Sequence, residues 1–232
     1  MSEAQHSRPA PGTLCLQVRD LTVTLADTGA AIVKGVSFEL QAGKVFALGG
    51  ESGSGKSVTS LAAMRLLPDA LRISGGSVDV AGQDLFGLSE ARMQEVRGRR
   101  VAMIFQNAMS ALNPVQTVGK QVAETLQLHT RLRGAALRER VVALFREVGI
   151  PDPEQRFDFF PHQLSGGQQQ RVMIAMALAC EPDVLIADEP TTALDVTIQL
   201  QVLNLIRELT RSRQLAVLLI THDMGVVKNT AD

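Results

Sequence analysis

The feature that most constrains the fold is a glycine-rich segment between two apolar stretches. A strand-like run at 45–48 precedes it, and a helix-compatible run at 60–67 follows it. The segment has glycine at three positions and ends in Lys-Ser; its residues are Gly50, Glu51, Ser52, Gly53, Ser54, Gly55, Lys56 and Ser57. A buried strand, a tight glycine turn and a helix in this order predict one unit of a parallel α/β sheet.

The same segment contains the groups that a polyphosphate requires. Glycines let backbone N–H groups point inward without Cβ atoms in the way, Lys56 offers a cation to the outer phosphates, and Ser57 offers a hydroxyl to Mg²⁺. The alternative is a flexible surface loop that ends in Gly-Lys-Ser by chance. The flanking strand and helix disfavour that alternative, so we expect a nucleotide site here.

Bulk properties narrow the possible function classes. The chain has 232 residues and a net charge of −1, which predicts a large α/β domain with a subdomain and gives no reason to expect a nucleic-acid surface. Its two cysteines, Cys15 and Cys180, lack metal-ligand spacing, so no zinc site is predicted. The longest apolar stretch, at 172–180, is well short of the ~20 residues that a membrane helix needs.

Periodicity divides the chain into four segments. They are predicted to be a loose leader at 1–13, the first part of the nucleotide-binding core at 14–106, a helical subdomain at 107–164 and the rest of the core at 165–232. Within the first core segment, alternating runs at 16–19, 36–40 and 77–80 predict an antiparallel sheet, with a turn at 81–84.

The α/β pattern resumes after the helical subdomain. A buried strand is predicted at 101–105 before the subdomain, and apolar residues at helical spacing fill 117–149 within it. Beyond it the pattern predicts a helix at 166–180, a strand at 184–187, a helix at 196–211 and a strand at 215–220. Apolar strands that alternate with amphipathic helices indicate a parallel sheet covered on both faces.

Two carboxylates follow one of these buried strands directly. Asp188 and Glu189 come after the apolar run 184–187, at the strand end where α/β proteins place their ligand crevices. We expect Asp188 to hold Mg²⁺ through a coordinated water, and Glu189 to orient or deprotonate the water that attacks a γ-phosphate. The alternative is an acidic turn before Pro190, which the nearby phosphate-binding segment makes less favourable.

A second glycine-rich segment precedes the long apolar helix and has no lysine. It consists of Ser165, Gly166, Gly167 and Gln168. A serine and two glycines at a helix start can bind an anion, although Ser165 could simply be the helix N-cap. One segment with a lysine and a second without one suggest that the two face each other across a dimer.

Together these segments resemble the nucleotide-binding subunits of ABC transporters, from about residue 14 onward. The phosphate loop, the segment Leu164–Gln168 and the acidic motif at 187–190 occur in that family's order. The resemblance implies an α/β P-loop NTPase of the RecA-like kind. Its parallel core would carry an N-terminal antiparallel β subdomain and an inserted α-helical subdomain.

The resemblance also implies roles for residues that carry little signal alone. Gln106 corresponds to the loop glutamine that senses Mg²⁺ and nucleotide and contacts the membrane subunits, and His222 corresponds to the histidine that contacts the γ-phosphate. Residues 193–195 match the loop that crosses to the partner subunit. Taken singly, Gln106 is an ordinary polar residue at a strand end and His222 an ordinary surface histidine.

The expected site can then be divided by role. The catalytic residues are Lys56, Glu189 and His222, and the Mg²⁺ ligands are Ser57, Gln106 and Asp188. The ATP-binding residues are Gly50, Glu51, Ser52, Gly53, Ser54, Gly55, Lys56, Ser57, Gln106, Ser165, Gly166, Gly167 and Gln168.

The amino-acid sequences of the motifs resemble those of one subgroup, the ATPases of oligopeptide, dipeptide, glutathione and nickel importers. The motifs in question are 50–57, 103–106 with 112–114, 171–178 and 186–197. The subgroup implies a second ATPase subunit placed head to tail, two integral membrane permease subunits and, indirectly, a solute-binding protein. It implies a peripheral location at the cytoplasmic face of the inner membrane.

Two alternatives remain open at this stage. A soluble ABC ATPase of DNA repair or translation would carry a long coiled coil, zinc cysteines or a second cassette, and the sequence shows none of these. A truncated, inactive fragment of a transporter ATPase is the other alternative, because relatives continue past the position of Asp232.

Overall fold

Two four-stranded sheets, one antiparallel and one parallel, form the framework of the molecule. The structure is a computed structural model and describes residues 8–51, 53–106, 111–192 and 194–231. The parallel sheet carries the candidate site at one edge, and the antiparallel sheet packs beside it. This is the α/β arrangement that the sequence predicts.

The antiparallel sheet has the strand order β2-β1-β4-β5. Its strands are β1 (Leu14–Leu25), β2 (Ala31–Gln41), β4 (Leu71–Val80) and β5 (Gln83–Asp84). The predicted four-residue turn at 81–84 is therefore wrong at its second half, because Gln83 and Asp84 pair with Val80 and Asp79. Ala81 and Gly82 both have positive φ, the geometry of a two-residue hairpin turn, which leaves the next residues free to form a strand.

The parallel sheet has the strand order β3-β8-β7-β6. Its strands are β3 (Val45–Gly49), β6 (Val101–Ile104), β7 (Val184–Asp188) and β8 (Ala216–Thr221). Every residue of β7 and β8 is buried, as expected of central strands with both faces covered.

Alternate residues of the central strand β8 belong to two different hydrophobic cores. Val217 and Leu219 pack in the core shared with the helical region, whereas Leu218 and Ile220 pack in the core shared with the antiparallel sheet. Side chains of a strand point alternately to opposite faces, so the parallel sheet separates the two cores. It is thereby fixed from both sides, and so are the loops at its ends.

The helix that follows β3 begins earlier than the sequence pattern predicts. The helix-compatible run is 60–67, but α1 is Lys56–Ala63. Gly55 provides a left-handed N-cap that lets the helix start at the lysine, and Arg65, with φ of 52°, ends the helical conformation before Pro68. A further short helix, α2 (Glu90–Val96), was not predicted; Ser89 caps it by accepting a hydrogen bond from the Arg92 N–H.

A group of helices lies between β6 and β7. They are α3 (Val118–His129), α4 (Gly134–Glu147), α5 (Pro153–Arg156), a 3₁₀ turn (Pro161–Gln163) and α6 (Gly166–Leu178). The chain then forms β7, α7 (Val196–Arg213), β8 and α8 (Met224–Thr230). Gly119 is required for tight packing here, because a Cβ at that position would lie 2.3 Å from the Phe157 ring.

The last two residues of the predicted leader are bonded to the end of the antiparallel strand β2. Residues 12 and 13 of the predicted leader are held, since the Gly12 N–H donates to the Ala42 carbonyl and the Ala42 N–H donates to the Thr13 carbonyl. These two backbone bonds extend the pairing at the end of β2.

Across the described ranges, none of the helices has the length and apolar character needed to span a bilayer.

Candidate nucleotide site

The phosphate loop joins the C-terminal end of β3 to the first turn of α1. Gly53 and Gly55 have φ of 81° and 90°, values that a residue with a Cβ adopts only under strain. A Cβ on Gly55 would also lie 3.1 Å from the Ile32 carbonyl oxygen. The glycines therefore set the loop conformation that brings the start of α1 to the edge of the sheet, where helix N–H groups can meet an anion.

The Lys56 ammonium group is held over this loop and is almost buried. Its Nζ donates to the carbonyl oxygens of Gly50 at 2.7 Å and Glu51 at 2.6 Å. A third contact, at 3.2 Å, joins it to the Ser54 hydroxyl. The side chain is thus positioned by the loop's own oxygen atoms, and the cation lies where a phosphate bound in the loop would meet it.

Ser57 and Asp188 meet although they are far apart in sequence. The Ser57 hydroxyl donates to Asp188 Oδ1 at 3.0 Å. Asp188 is only 4% exposed, and burial raises the pKa of its carboxyl above the ordinary value. The hydrogen bond from Ser57 acts against this rise in pKa, whereas the charge of Glu189 adds to it.

This pair has the donor chemistry that Mg²⁺ prefers. Magnesium in nucleotide sites is commonly bound by one or two protein carboxylates together with substrate phosphates, rather than by a cage of protein ligands. A buried carboxylate whose ionisation is opposed by desolvation gains most from a cation. The Ser57 hydroxyl and the Asp188 carboxylate, 3.0 Å apart, offer oxygen atoms of the kind that Mg²⁺ prefers.

Glu189 forms hydrogen bonds with residues that follow the ends of three neighbouring strands, β6, β7 and β8. The Gln106 amide, after β6, donates to Glu189 Oε2 at 2.9 Å, and Nδ1 of His222, after β8, lies 3.0 Å from Oε1. The Thr192 hydroxyl donates to Oε2 at 3.0 Å. The strand register explains the meeting, because Ala187 of β7 is level with Ile104 of β6, two residues before Gln106.

These contacts keep the Glu189 carboxylate ionised. Burial alone would raise the pKa of Glu189, but the hydrogen bonds from His222, Thr192 and Gln106 outweigh it and lower the pKa below the ordinary value. The Glu189 side chain is 14% exposed, so part of it remains open to solvent. An ionised and reachable carboxylate at a fixed position is what a proton acceptor requires.

The backbone of Glu189 is strained as well. Its φ is 46°, in the left-handed region, which costs about 1–2 kcal/mol for a residue with a Cβ. The turn that starts here is closed by a hydrogen bond from the Thr192 N–H to the Glu189 carbonyl at 3.2 Å. Strain at an ionised residue beside a phosphate loop is the kind of feature that marks functional sites.

The second glycine-rich segment has its own local structure. Ser165 is the N-cap of α6 and forms a capping box with Gln168: the Gln168 N–H donates to Ser165 Oγ at 3.3 Å, and the Ser165 N–H donates to Gln168 Oε1 at 3.1 Å. A Cβ on Gly166 would lie 3.3 Å from the Leu194 side chain, and one on Gly167 would lie 2.7 Å from Ile198 Cγ2. Within one chain, therefore, Ser165 acts as an N-cap.

The structure does not join the second segment to the phosphate loop. Among the residues described, no hydrogen bond links Ser165–Gln168 to the groups around Lys56, Ser57 or Glu189. Thr192, which sequence reasoning did not single out, belongs to the site; a hydroxyl three residues after the glutamate, across a proline turn, is the signal that could have found it. Ser52 and Ala193, both named from the sequence, lie outside the described residues.

Comparison with known proteins agrees with this geometry. The dipeptide transport ATP-binding protein DppD of Bacillus subtilis is 50% identical over 220 residues, which cover 94% of this chain and 66% of that protein. The oligopeptide transport ATP-binding protein OppD of Bacillus subtilis is 49% identical over 223 residues, which cover 95% of this chain and 62% of that protein. The chain therefore spans somewhat less than two thirds of the length of these relatives.

A solved structure shows the same fold at lower identity. The dimeric ATP-binding cassette MJ0796, in a post-hydrolysis state bound to ADP and Pi, superimposes with a TM-score of 0.77 at 27% identity, covering 91% of this chain and 89% of that one. The ABC transporter family model matches residues 33–192. The phosphate loop, the Ser57–Asp188 pair and Glu189 with its hydrogen-bond partners lie at one edge of the parallel sheet. The family match and the similar relatives show that the chain belongs to the ABC transporter family of ATP-binding proteins.

Proposed function

We propose that this chain binds and hydrolyses ATP and thereby energises an import system for peptides or a similar small solute. The observation that carries the proposal is the position of Glu189, held by Gln106 and His222 at the same sheet edge as the phosphate loop. The similarity to dipeptide and oligopeptide transport proteins supports the peptide class. Glutathione and nickel belong to the same proposed range of solutes.

ATP would lie with its phosphates in the turn formed by residues 50–57. Lys56 and the N–H groups at the start of α1 would bind the β- and γ-phosphates, in place of the carbonyl oxygens that Lys56 now contacts. Ser57, Asp188 and the Gln106 side chain would hold Mg²⁺, which neutralises phosphate charge when bound. His222, which is 61% exposed, can reach from Glu189 toward the γ-phosphate.

Glu189 would serve as the general base. Its carboxylate takes a proton from a water molecule, and the water oxygen forms a bond to the γ-phosphorus as the bond from that phosphorus to the bridging oxygen breaks. The bridging oxygen leaves with its electron pair as part of ADP, and inorganic phosphate is the second product. The lowered pKa of Glu189 keeps the acceptor ionised before the reaction.

The second glycine-rich segment would complete the site of another subunit. Ser165 and the N–H groups that follow it would face the γ-phosphate bound at Lys56 of a partner, closing a head-to-tail dimer. Support comes from the segment itself, a capped helix start with two glycines that is not joined to the chain's own phosphate loop. The dimeric state of MJ0796 bound to ADP and Pi is a further reason to expect a pair.

Membrane partners would bind near Gln106. Phe105, its neighbour in the chain, is 42% exposed, so apolar surface adjoins the residue that contacts Glu189. We place two permease subunits there, with the helical subdomain at 107–164 as the part that transmits the change and a solute-binding protein acting through them. The chain would then be peripheral, at the cytoplasmic face of the inner membrane.

The proposal is tested by measuring ATP binding and phosphate release on the purified chain, with and without Mg²⁺. We expect Mg²⁺-dependent release of phosphate that rises more than linearly with protein concentration, because two chains build each site. Co-purification in detergent with the permeases from the same operon tests the transport part. Absence of ATP binding would contradict the ATPase function, and recovery of no integral membrane protein would contradict the transport function.

A further inference from the structure

The two oxygen atoms of the Glu189 carboxylate are not equivalent. Oε2 accepts hydrogen bonds from Gln106 at 2.9 Å and from Thr192 at 3.0 Å. Oε1 is contacted only by His222 Nδ1, at 3.0 Å, among the described residues. Because a carboxylate oxygen accepts about two hydrogen bonds, Oε2 is filled and Oε1 keeps one free acceptor position.

Of the two donors to Oε2, Thr192 is tied to the glutamate itself. Its hydroxyl bonds to the side chain, and its backbone N–H bonds to the Glu189 carbonyl at 3.2 Å, so one residue closes the turn twice. Gln106 follows a different strand, β6, so its hydrogen bond to Oε2 depends on the position of the end of that strand. A movement at Gln106 would therefore leave Thr192 as the remaining donor to Oε2.

We propose that Thr192 is a positioning residue that anchors Oε2 of Glu189 and leaves Oε1 as the atom that accepts the proton. This inference rests on the proposed ATPase function. In the reaction, the O–H bond of the attacking water breaks, its proton goes to the free acceptor position of Oε1, and the water oxygen bonds to the γ-phosphorus while the bond to the ADP oxygen breaks. Anchoring Oε2 fixes the direction of that free position.

The test compares three variants of the full chain. Thr192→Val removes the hydroxyl at almost constant volume and is expected to lower kcat by about tenfold, as the loss of a hydrogen bond to a charged group does. KM and the ATP dissociation constant should change by less than about twofold, because Thr192 holds the base and not the nucleotide. Thr192→Ser keeps a hydroxyl and should restore kcat to within about threefold of the wild type.

Thr191→Val is the matched control, since the hydroxyl of this neighbouring threonine makes no hydrogen bond within the described ranges. It should keep the wild-type kcat. The inference is overturned if Thr192→Val hydrolyses ATP at the wild-type rate, or if Thr192→Ser loses as much activity as Thr192→Val. A loss that appears in ATP affinity and not in kcat would also overturn it.

A second measurement separates this inference from the proposed function. If the wild-type chain binds ATP but shows no turnover under any condition, the ATPase proposal fails, and crystal structures without nucleotide then decide the role of Thr192. In the wild type, the Thr192 hydroxyl should lie within hydrogen-bond distance of one Glu189 carboxylate oxygen, with Gln106 on the same oxygen. In Thr192→Val that carboxylate should rotate. An unchanged carboxylate position in Thr192→Val would overturn the inference.

Discussion

Two helix starts in this molecule have similar glycine-rich sequences but use their glycines for different physical reasons. At α1, Gly53 and Gly55 have positive φ, and no side chain caps the helix. At α6, Ser165 caps the helix, and the glycines allow close approach to neighbouring side chains, with a Cβ on Gly167 falling 2.7 Å from Ile198. The first set shapes a backbone cradle, and the second set allows two helices to pack.

Glycine content alone therefore does not indicate one kind of site. In the phosphate loop the conformation itself needs glycine, so any substituted residue carries strain. In the second segment a Cβ would meet one neighbouring side chain at each glycine, Leu194 at Gly166 and Ile198 at Gly167, and the need for glycine would disappear with that neighbour. Only the loop at α1 also has a lysine held over it, which makes it the segment that can bind phosphate within one chain.

The largest effect should come from Glu189→Gln, which leaves both helix starts intact. The variant should bind ATP with normal affinity, while kcat falls by about a thousandfold because the proton acceptor is lost. With ATP and Mg²⁺ it should accumulate as a dimer, measured by light scattering, because both helix starts can close on nucleotide that is not hydrolysed. Vigorous steady-state turnover in this variant would refute the role of Glu189.

Lys56→Ala removes the group that distinguishes the first helix start from the second. ATP affinity should fall by about a hundredfold or more, because charge-assisted contacts to phosphate are lost. Lys44→Ala removes the same charge from an exposed position outside the loop and serves as the control. Equal losses in the two variants, measured by titration with a fluorescent ATP analogue, would mean that the effect is general electrostatics and not the cradle.

Two glycine substitutions separate strain from packing. Gly167→Ala should lower the free energy of unfolding by about 1–3 kcal/mol, as overpacking does, and Ile198→Ala in the same chain should relieve part of that loss. Gly53→Ala should cost about 1–2 kcal/mol from its φ of 81°, and Ile198→Ala should not relieve it, because no contact within 4 Å of a Cβ is found there in the part of the chain that the structure describes. Denaturant unfolding of the single and double variants measures both.

Equal coupling of Ile198 to the two glycines would contradict the comparison. So would a Gly167→Ala variant that is as stable as the wild type, since that result would show that α6 and α7 are not in close contact at this point. Ile198→Ala alone is the reference, because it removes half-buried apolar surface by itself.

The smallest expected effect on stability distinguishes a cap from an anion site at the second helix start. Ser165→Ala should cost about 1 kcal/mol in the free energy of unfolding, whereas Ser165→Asp keeps a good N-cap and should cost less than about 0.5 kcal/mol. If the segment also faces a phosphate, the aspartate variant should be stable yet lose turnover through charge repulsion. Wild-type turnover in Ser165→Asp would reduce the segment to a helix cap.

Much of the fold could be predicted because its signals are local. The alternating runs around 16–19 and 36–40, and the uninterrupted apolar run at 184–187, specify half-exposed and fully buried strands by their own patterns, and the two sheets confirm the predicted fold class. The start of α1 was misplaced by four residues because helix periodicity says nothing about a glycine cap in the left-handed conformation. The predicted turn at 81–84 was two residues too long because the sequence pattern does not show that positive φ values at Ala81 and Gly82 complete the turn.

The candidate site shows the same division. Lys56, Ser57, Asp188 and Glu189 could be named from the sequence because each stands in a motif whose chemistry is readable at short range. Thr192 was missed because a hydroxyl three residues after the glutamate is a weak signal, and because the contact also depends on the positive φ of Glu189, which the sequence does not indicate. The capping role of Ser165 was foreseen as an alternative, and the geometry of a single chain shows it.

The order of the elements, and the residues that are candidates for phosphate and proton chemistry, can be read from local sequence, because a glycine turn, a lysine and carboxylates act through their own bonds and charges. Folding brings Ser57 to Asp188 across 131 residues and brings Gln106 and Thr192 to the same oxygen of Glu189. The contacts of Ser57 with Asp188 and of Gln106 with Glu189 follow from the arrangement of parallel strands and the packing of two cores against one sheet, whereas Thr192 reaches Glu189 through a turn that begins at the strained glutamate. Such long-range geometry has no counterpart in the local sequence.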